Sequence, residues 1–146
     1  SMELEIARRC AVLFTGLHCG CLLFVSTVSV RTLLKAVENN DQNLLKALFP
    51  LWWPYGADLM MPLGVIATVA NAAAWYFSNS TYWLISCGLT FGVIFFTGFF
   101  MMEDINELRG DSKRVYDITK TFCAKHHFRL LLSLGALFCG SFADLI

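Results

Sequence analysis

Apolar positions along the chain fall into four long runs that contain almost no charge. The runs cover residues 10–30, 59–77, 82–102 and 128–146. Each run has the roughly 20 residues that an α-helix needs to cross the hydrocarbon core of a bilayer. The first run exceeds the roughly 7–15 apolar residues of a signal peptide, so we expect it to be retained as a span. The pattern predicts an all-α integral membrane four-helix bundle that forms one domain, residues 1–146.

The connections between these runs differ in length. Residues 78–81 can only reverse the chain, so the second and third spans are predicted to form a tight hairpin. The connections 31–57 and 103–127 are longer and have an apolar periodicity of their own. In the first, Glu38-Asn39-Asn40-Asp41 interrupts the periodicity; in the second, Asp111 or Ser112 can cap a helix after Gly110. We therefore predict short interfacial or cytosolic helices in loops 1 and 3, the latter continuing into the fourth span.

Composition and charge favour a bilayer over water as the solvent. Apolar residues make up 57% of the chain and charged residues 15%, against roughly 25% charged in soluble domains. The formal net charge is zero. This composition argues against a disordered chain, and it predicts no nucleic-acid partner.

Lysine and arginine are concentrated in the two long connections. These contain Arg31, Lys35, Lys46, Arg109, Lys113, Arg114, Lys120 and Lys125, whereas the opposite face has Arg8 and Arg9. The positive-inside rule then places loops 1 and 3 in the cytosol and both termini in the lumen, in the endoplasmic reticulum or another endomembrane. Asn79-Ser80-Thr81 fits the N-glycosylation pattern, but its closeness to the bilayer favours a simple polar turn.

Small and aromatic residues suggest how the helices pack. Gly16 with Gly20 and Gly88 with Gly92 form G-x-x-x-G pairs, which allow close approach within the bundle or between two copies in a homo-oligomer. The aromatic and proline cluster of residues 49–55 is predicted to lie at the level of the lipid headgroups.

Polar residues within or beside the spans are the candidates for function, because hydrocarbon makes each of them costly. Counting from the predicted span ends places His18, Asn71 and Thr90 in the luminal leaflet, where they can share hydrogen bonds. The cytosolic mouth collects a second group: Asp58, Glu103, Asp104, Asn106, His126, His127 and Arg129. Such a mouth suits a small hydrophobic ligand and acid–base chemistry; the alternative is that these residues only anchor helix ends.

Three segments resemble a known family. They are residues 53–63 (Trp-Pro-Tyr-Gly-Ala-Asp-Leu-Met-Met-Pro-Leu), residues 96–102 leading to Asn106-Glu107-Leu108, and residues 126–132, which begin His-His-Phe-Arg. The chain resembles the anthrone oxygenase-like family of small four-helix membrane proteins, whose H-x-x-R motif corresponds to His126 and Arg129. Fungal members linked to polyketide pathways oxidise anthrones to anthraquinones with O₂; other members have no assigned reaction.

The resemblance implies an oxygenase that acts with O₂ on an anthrone or a hydroquinone-like molecule. In this hypothesis His126 is the base, with His127 as the alternate, Arg129 stabilises an enolate oxygen, and Asn106 orients the carbonyl. The residues expected to contact the ligand are Trp53, Tyr55, Asp58, His18 and Asn71. The cofactor is either none or a single iron or copper ion bound by His126, Glu103 or Asp104. The competing hypothesis is a non-catalytic tetraspan that binds a lipid or a partner membrane protein.

Overall fold

The computed structural model describes all 146 residues, and 92% of them are helical. Four helices form the fold: α1 (Met2–Glu38), α2 (Gln42–Ser78), α3 (Thr81–Arg109) and α4 (Val115–Leu145). Each is long and apolar enough to cross a membrane. The prediction of an all-α fold with four helices of spanning length is confirmed.

The helices extend well beyond the predicted spans. α1 and α2 have 37 residues each, which is about 55 Å of helix against about 30 Å of hydrocarbon. Most of the two long connections is helical, but this part prolongs the spans and does not form separate surface helices; the breaks are only residues 39–41 and 110–114. Hydropathy detects the part of a helix whose outer face is apolar and stops where that face turns polar, although the helix continues.

Each helix packs against its two neighbours in the ring α1, α2, α3, α4, in up-and-down order. Two asparagines reverse the chain in the left-handed conformation, Asn40 with φ 53° and Asn79 with φ 55°. The Asp41 side chain caps α2 by accepting a hydrogen bond of 2.9 Å from the Leu44 amide. The predicted hairpin at residues 78–81 is confirmed. α4 begins instead after Arg114, without a side-chain cap from Asp111 or Ser112.

The two ends of the bundle have different cores. At the end that holds both termini the core is mostly alanine, and we call it the alanine end: Ala7, Ala11, Ala70, Ala74, Ala143 and Trp83. At the other end, the aromatic end, large side chains fill the core, and Phe122 packs edge-on against Phe49 and Trp53 at centroid distances of 5.2 and 6.1 Å. Phe49 and Trp53 therefore lie in the protein core, whereas we had expected them at the headgroup level.

The closest glycine contacts are not those of the G-x-x-x-G pairs. A Cβ at Gly20 or Gly88 would have nothing within 4 Å, so these glycines do not allow a close helix contact within the bundle. A Cβ would instead be tight at Gly64, Gly135 and Gly140, with contacts of 3.1–3.2 Å. These glycines create space for neighbouring side chains, and at Gly64 that neighbour is His18.

Two single turns of π-helix interrupt α1 and α3. They span Val25–Ser29 and Thr97–Met101. A π turn inserts one extra residue and changes the backbone hydrogen bonding around it, and such turns are frequent at functional sites. Both π turns pack against α4, where the residues of the predicted H-x-x-R motif lie.

Candidate functional site

One short segment of α4, residues 125–129, is bound to both π turns. Toward α3, Lys125 Nζ donates to the Phe100 carbonyl at 2.7 Å and to Asp104 Oδ2 at 2.8 Å. Arg129 Nη1 donates to Thr97 Oγ1 at 3.2 Å. The Phe100 carbonyl and the Thr97 hydroxyl both belong to the π turn of α3.

On its other side the same segment contacts α1. His126 Nε2 lies 3.0 Å from the carbonyl oxygen of Leu22, just before the π turn. Ser26 Oγ, within the turn, shares a hydrogen bond of 2.7 Å with Nδ1 of the exposed His127. The H-x-x-R segment thus connects α1 and α3, which do not otherwise adjoin in the ring.

The hydrogen bonds of His126 define its tautomer. Arg129 Nη2 lies 2.7 Å from His126 Nδ1. A guanidinium only donates, so Nδ1 accepts; the Leu22 carbonyl only accepts, so Nε2 carries the proton. His126 is fully buried and neutral in this arrangement, with both ring nitrogens occupied. Its role in the structure is to orient Arg129.

Arg129 is a buried cation without a carboxylate partner. Its side chain is 3% exposed, its hydrogen-bond partners are the neutral groups of Thr97 and His126, and its Nε has none. The nearby carboxylate of Asp104 is paired with Lys125. Because burying an uncompensated charge costs several kcal/mol, a guanidinium in this position favours the binding of an anion.

Arg129 lines a partly open cavity of about 190 Å³. Its polar lining consists of His18, Thr97 and Arg129, and most of the remaining wall is apolar, including Leu22, Trp53 and Met60. An engineered apolar cavity of about 150 Å³ accommodates benzene, so this one can hold one aromatic ring, and its open side leaves room for the rest of a larger fused-ring system. Donors at one side of an apolar chamber can stabilise a negative oxygen on such a ring.

The structure brings only some of the predicted site residues together. His18, Trp53 and Arg129 line the cavity, and His126 lies directly behind Arg129. Asn106, Asp58 and Glu103 are exposed and do not line it. Tyr55 is 78% exposed and lines a separate groove on the outer surface between α1 and α2. Asn106, Asp58 and Glu103, which were expected at the mouth of the site, therefore lie outside the cavity, and so does Tyr55, which was expected to contact the ligand.

The predicted depths of the histidines are also corrected. His18 and His126 were expected near opposite leaflets, yet His18 shares the cavity with Arg129, one helical turn from His126. His126 lies eleven residues into α4, which begins at Val115, about 17 Å from the helix start. Counting from the shorter predicted spans had placed His126 at the mouth of the bundle.

Asn71 makes hydrogen bonds within the protein and does not face the cavity. Its Nδ2 donates to Thr15 Oγ1 and to the Ala67 carbonyl, each at 2.8 Å. Thr90 donates to the Ser86 carbonyl, and His18 makes no hydrogen bond with either residue. The shared network that we expected among His18, Asn71 and Thr90 is absent.

The residues proposed as metal ligands do not converge. No group of three His, Cys, Asp or Glu side chains has an arrangement that could bind a metal ion. His126 uses both nitrogens within the protein, Asp104 pairs with Lys125, and Glu103 is exposed. This donor set does not fit the single iron or copper ion of our hypothesis.

Several functional contacts escaped the sequence analysis. Thr97 and the Leu22 carbonyl lie next to π turns, whose positions no hydropathy pattern reveals. Ser133, one turn beyond Arg129 on α4, also has a buried hydroxyl without a partner, but it does not line the cavity.

Comparisons with known proteins do not extend this picture. No protein family matches the sequence, and neither a curated protein nor a solved structure is similar to it. The resemblance to the anthrone oxygenase-like family therefore stays a prediction.

Proposed function

We propose that the chain is an integral membrane protein. Large apolar side chains from all four helices face outward, among them Val69, Phe99, Leu131 and Phe138, each more than 60% exposed. Such a surface is unfavourable in water and suits lipid. Lys125 is partly buried in its ion pair with Asp104, but the other basic residues of the two connections still favour a cytosolic aromatic end and luminal termini in an endomembrane.

Within this bundle, the proposed function is the oxidation by O₂ of a small aromatic molecule that carries an ionisable oxygen, such as an anthrone or a hydroquinone. The observation that carries the proposal is the buried, carboxylate-free Arg129 at one side of an apolar cavity. An enolate or phenolate oxygen there supplies the missing negative charge, and the apolar wall accommodates the ring.

The reaction for an anthrone follows from its chemistry. Loss of a proton from the ring methylene gives an aromatic enolate whose negative charge lies on oxygen beside Arg129. O₂ accepts electrons from this anion; the methylene becomes a carbonyl that keeps one oxygen atom, and the other leaves as water. One anthrone and one O₂ thus give one anthraquinone and one water. His126 supports this chemistry by orienting the guanidinium.

A non-catalytic lipid-binding tetraspan is the second candidate. It is favoured by an outer groove of about 580 Å³ between α1 and α2, lined by Gly16, Gly20 and Tyr55 among others. Without contacts within 4 Å, Gly20 leaves room there for an acyl chain or a partner helix. This candidate predicts ligand binding without oxygen consumption.

Oxygen uptake by detergent-purified protein with anthrone or a hydroquinone separates the two candidates. Binding is followed in the same samples by tryptophan fluorescence, because Trp53 lines the cavity. We expect Arg129→Gln to weaken binding about tenfold to a hundredfold by removing a charge-assisted contact. The matched control is Arg31→Gln, since Arg31 is exposed and makes no side-chain hydrogen bond or ion pair. Quenching without oxygen uptake would favour the non-catalytic binder.

A further inference from the structure

His18 is the histidine in the cavity that is free to accept a proton. Its side chain is buried, 3% exposed, and neither ring nitrogen makes a hydrogen bond within the protein; Nδ1 is fully enclosed without a partner. Buried polar groups almost always have a hydrogen-bond partner, so one without a partner beside a cavity calls for an explanation. Nε2 also makes no hydrogen bond but is not fully enclosed, so it is the ring nitrogen that a ligand in the cavity can reach.

The surroundings of His18 hold the ring in place. A Cβ at Gly64 of α2 would approach its Nε2 to 3.1 Å and its Cε1 to 3.4 Å, so any larger residue there would press on the ring. Ile94 of α3 lies on the same side. Arg129 of α4 is the charged group that shares the cavity with it. No carboxylate lines this cavity, so nothing there compensates a protonated His18 except an anionic ligand.

His126 has the opposite arrangement. Its Nδ1 lone pair accepts from Arg129 and its Nε2 proton is donated to the Leu22 carbonyl. It can accept a substrate proton only after the bond from Arg129 breaks, and it does not line the cavity. The geometry of His126 is that of a positioning residue.

We infer that His18 is the proton acceptor of this site, while Arg129 receives the negative charge that the proton leaves behind. This inference rests on the proposed function and names the base for it. The acidic C–H bond of the substrate breaks, its proton moves to a ring nitrogen of His18, and the electron pair stays on the substrate as an enolate beside Arg129. His18 then returns the proton when the oxygen product forms, so the base is regenerated.

Hydrogen–deuterium exchange without O₂ tests the proton step by itself. Anthrone, or the smaller two-ring ketone 2-tetralone, whose benzylic C–H is also acidic, is incubated anaerobically with the protein in D₂O, and deuterium at the acidic carbon is measured by mass spectrometry. We expect His18→Gln to slow the protein-catalysed exchange about a hundredfold or more while quenching by the ligand changes less than about threefold. In His18→Ala, added imidazole is expected to restore part of the exchange rate.

The matched control is Thr15→Val. Thr15 lies on the same helix as His18 but outside the cavity, and the substitution removes its buried hydrogen bond with Asn71. This variant should keep the wild-type exchange rate. His18→Gln exchanging at the wild-type rate would overturn the assignment and leave the proposed function standing. Exchange by the wild type without oxygen uptake would overturn the oxidation and leave His18 as the base. A wild-type protein that neither binds anthrone nor exchanges it would overturn both.

Discussion

Arg129 donates a 2.7 Å hydrogen bond from Nη2 to Nδ1 of His126, and this contact makes the histidine a support for the guanidinium. Residues three apart on a helix face the same side, so the H-x-x-R spacing itself brings the two side chains together. The imidazole in turn is anchored to the Leu22 carbonyl of α1. The orientation of the one charged group in the cavity therefore depends on the packing between α1 and α4.

Replacing His126 by phenylalanine is expected to destabilise the fold. The substitution leaves Arg129 Nη2 without a partner in the protein interior, at a cost of about 1–3 kcal/mol, whereas the Leu22 carbonyl loses the His126 bond but keeps its backbone bond from Val25. The midpoint of thermal unfolding in detergent measures the effect. His127→Phe is the control, because His127 is exposed and loses only its bond with Ser26. Equal effects of the two substitutions would contradict the role assigned to His126.

Breaking the ion pair between Lys125 and Asp104 is expected to cost more than removing both partners. The Asp104 side chain is 8% exposed and that of Lys125 31%. Lys125→Met leaves a buried carboxylate unpaired, which we expect to cost about 2 kcal/mol because Lys125 is only partly buried. Adding Asp104→Leu should restore most of the loss. Denaturant unfolding of the two single variants and the double variant measures the coupling free energy between Lys125 and Asp104. If the two losses in unfolding free energy simply add, the two residues are not coupled.

Gly64→Ala is expected to impair ligand binding without unfolding the protein. The added methyl group would lie 3.1 Å from His18 Nε2, so the imidazole must shift within the cavity. Gly20→Ala adds the same methyl group where nothing lies within 4 Å, and it should stabilise α1 by about 0.5–1 kcal/mol through helix propensity. Tryptophan quenching by anthrone compares the two variants. Unchanged affinity in Gly64→Ala would show that the shifted imidazole does not take up space that the ligand needs.

The interhelical contact between Lys46 and Asp111 is expected to make stability depend on pH in the acid range. The hydrogen bond and the positive charge of Lys46 lower the pKa of Asp111 from its ordinary value of 3.8. Because the pKa of Asp111 is lower in the folded than in the unfolded state, the contact stabilises the fold fully above the ordinary value of 3.8. This stabilisation is lost as the pH falls through the lowered pKa.

Asp111→Asn removes this contribution. The difference in unfolding midpoint between wild type and variant should be small, decrease with added salt because the pair is exposed, and vanish at the acid end. A difference that grows as the pH falls would have the wrong sign.

The sequence predicted the helices better than the site. Four apolar runs were enough for the number of helices and for the reversal at Asn79, because the outward faces of these helices are apolar as well as the buried ones. The predicted location of His126 was wrong because the fourth apolar run begins only at residue 128, whereas the helix α4 already begins at Val115. Arg129 was found because a charge within an apolar run is conspicuous. The position of His18 in the cavity depends on how all four helices pack, and the spacing of residues along one helix does not predict that packing.

The two π turns also determine how this sequence can be aligned with others. Each turn holds one residue more than a regular α-helix needs, so every side chain beyond it is rotated by about 100° relative to an uninterrupted helix. A homologue without these insertions would match the chain only with a one-residue gap inside Val25–Ser29 and another inside Thr97–Met101. Alignments normally penalise gaps in the middle of helices. Relatives that need a gap at these two points would be ones that lack this site.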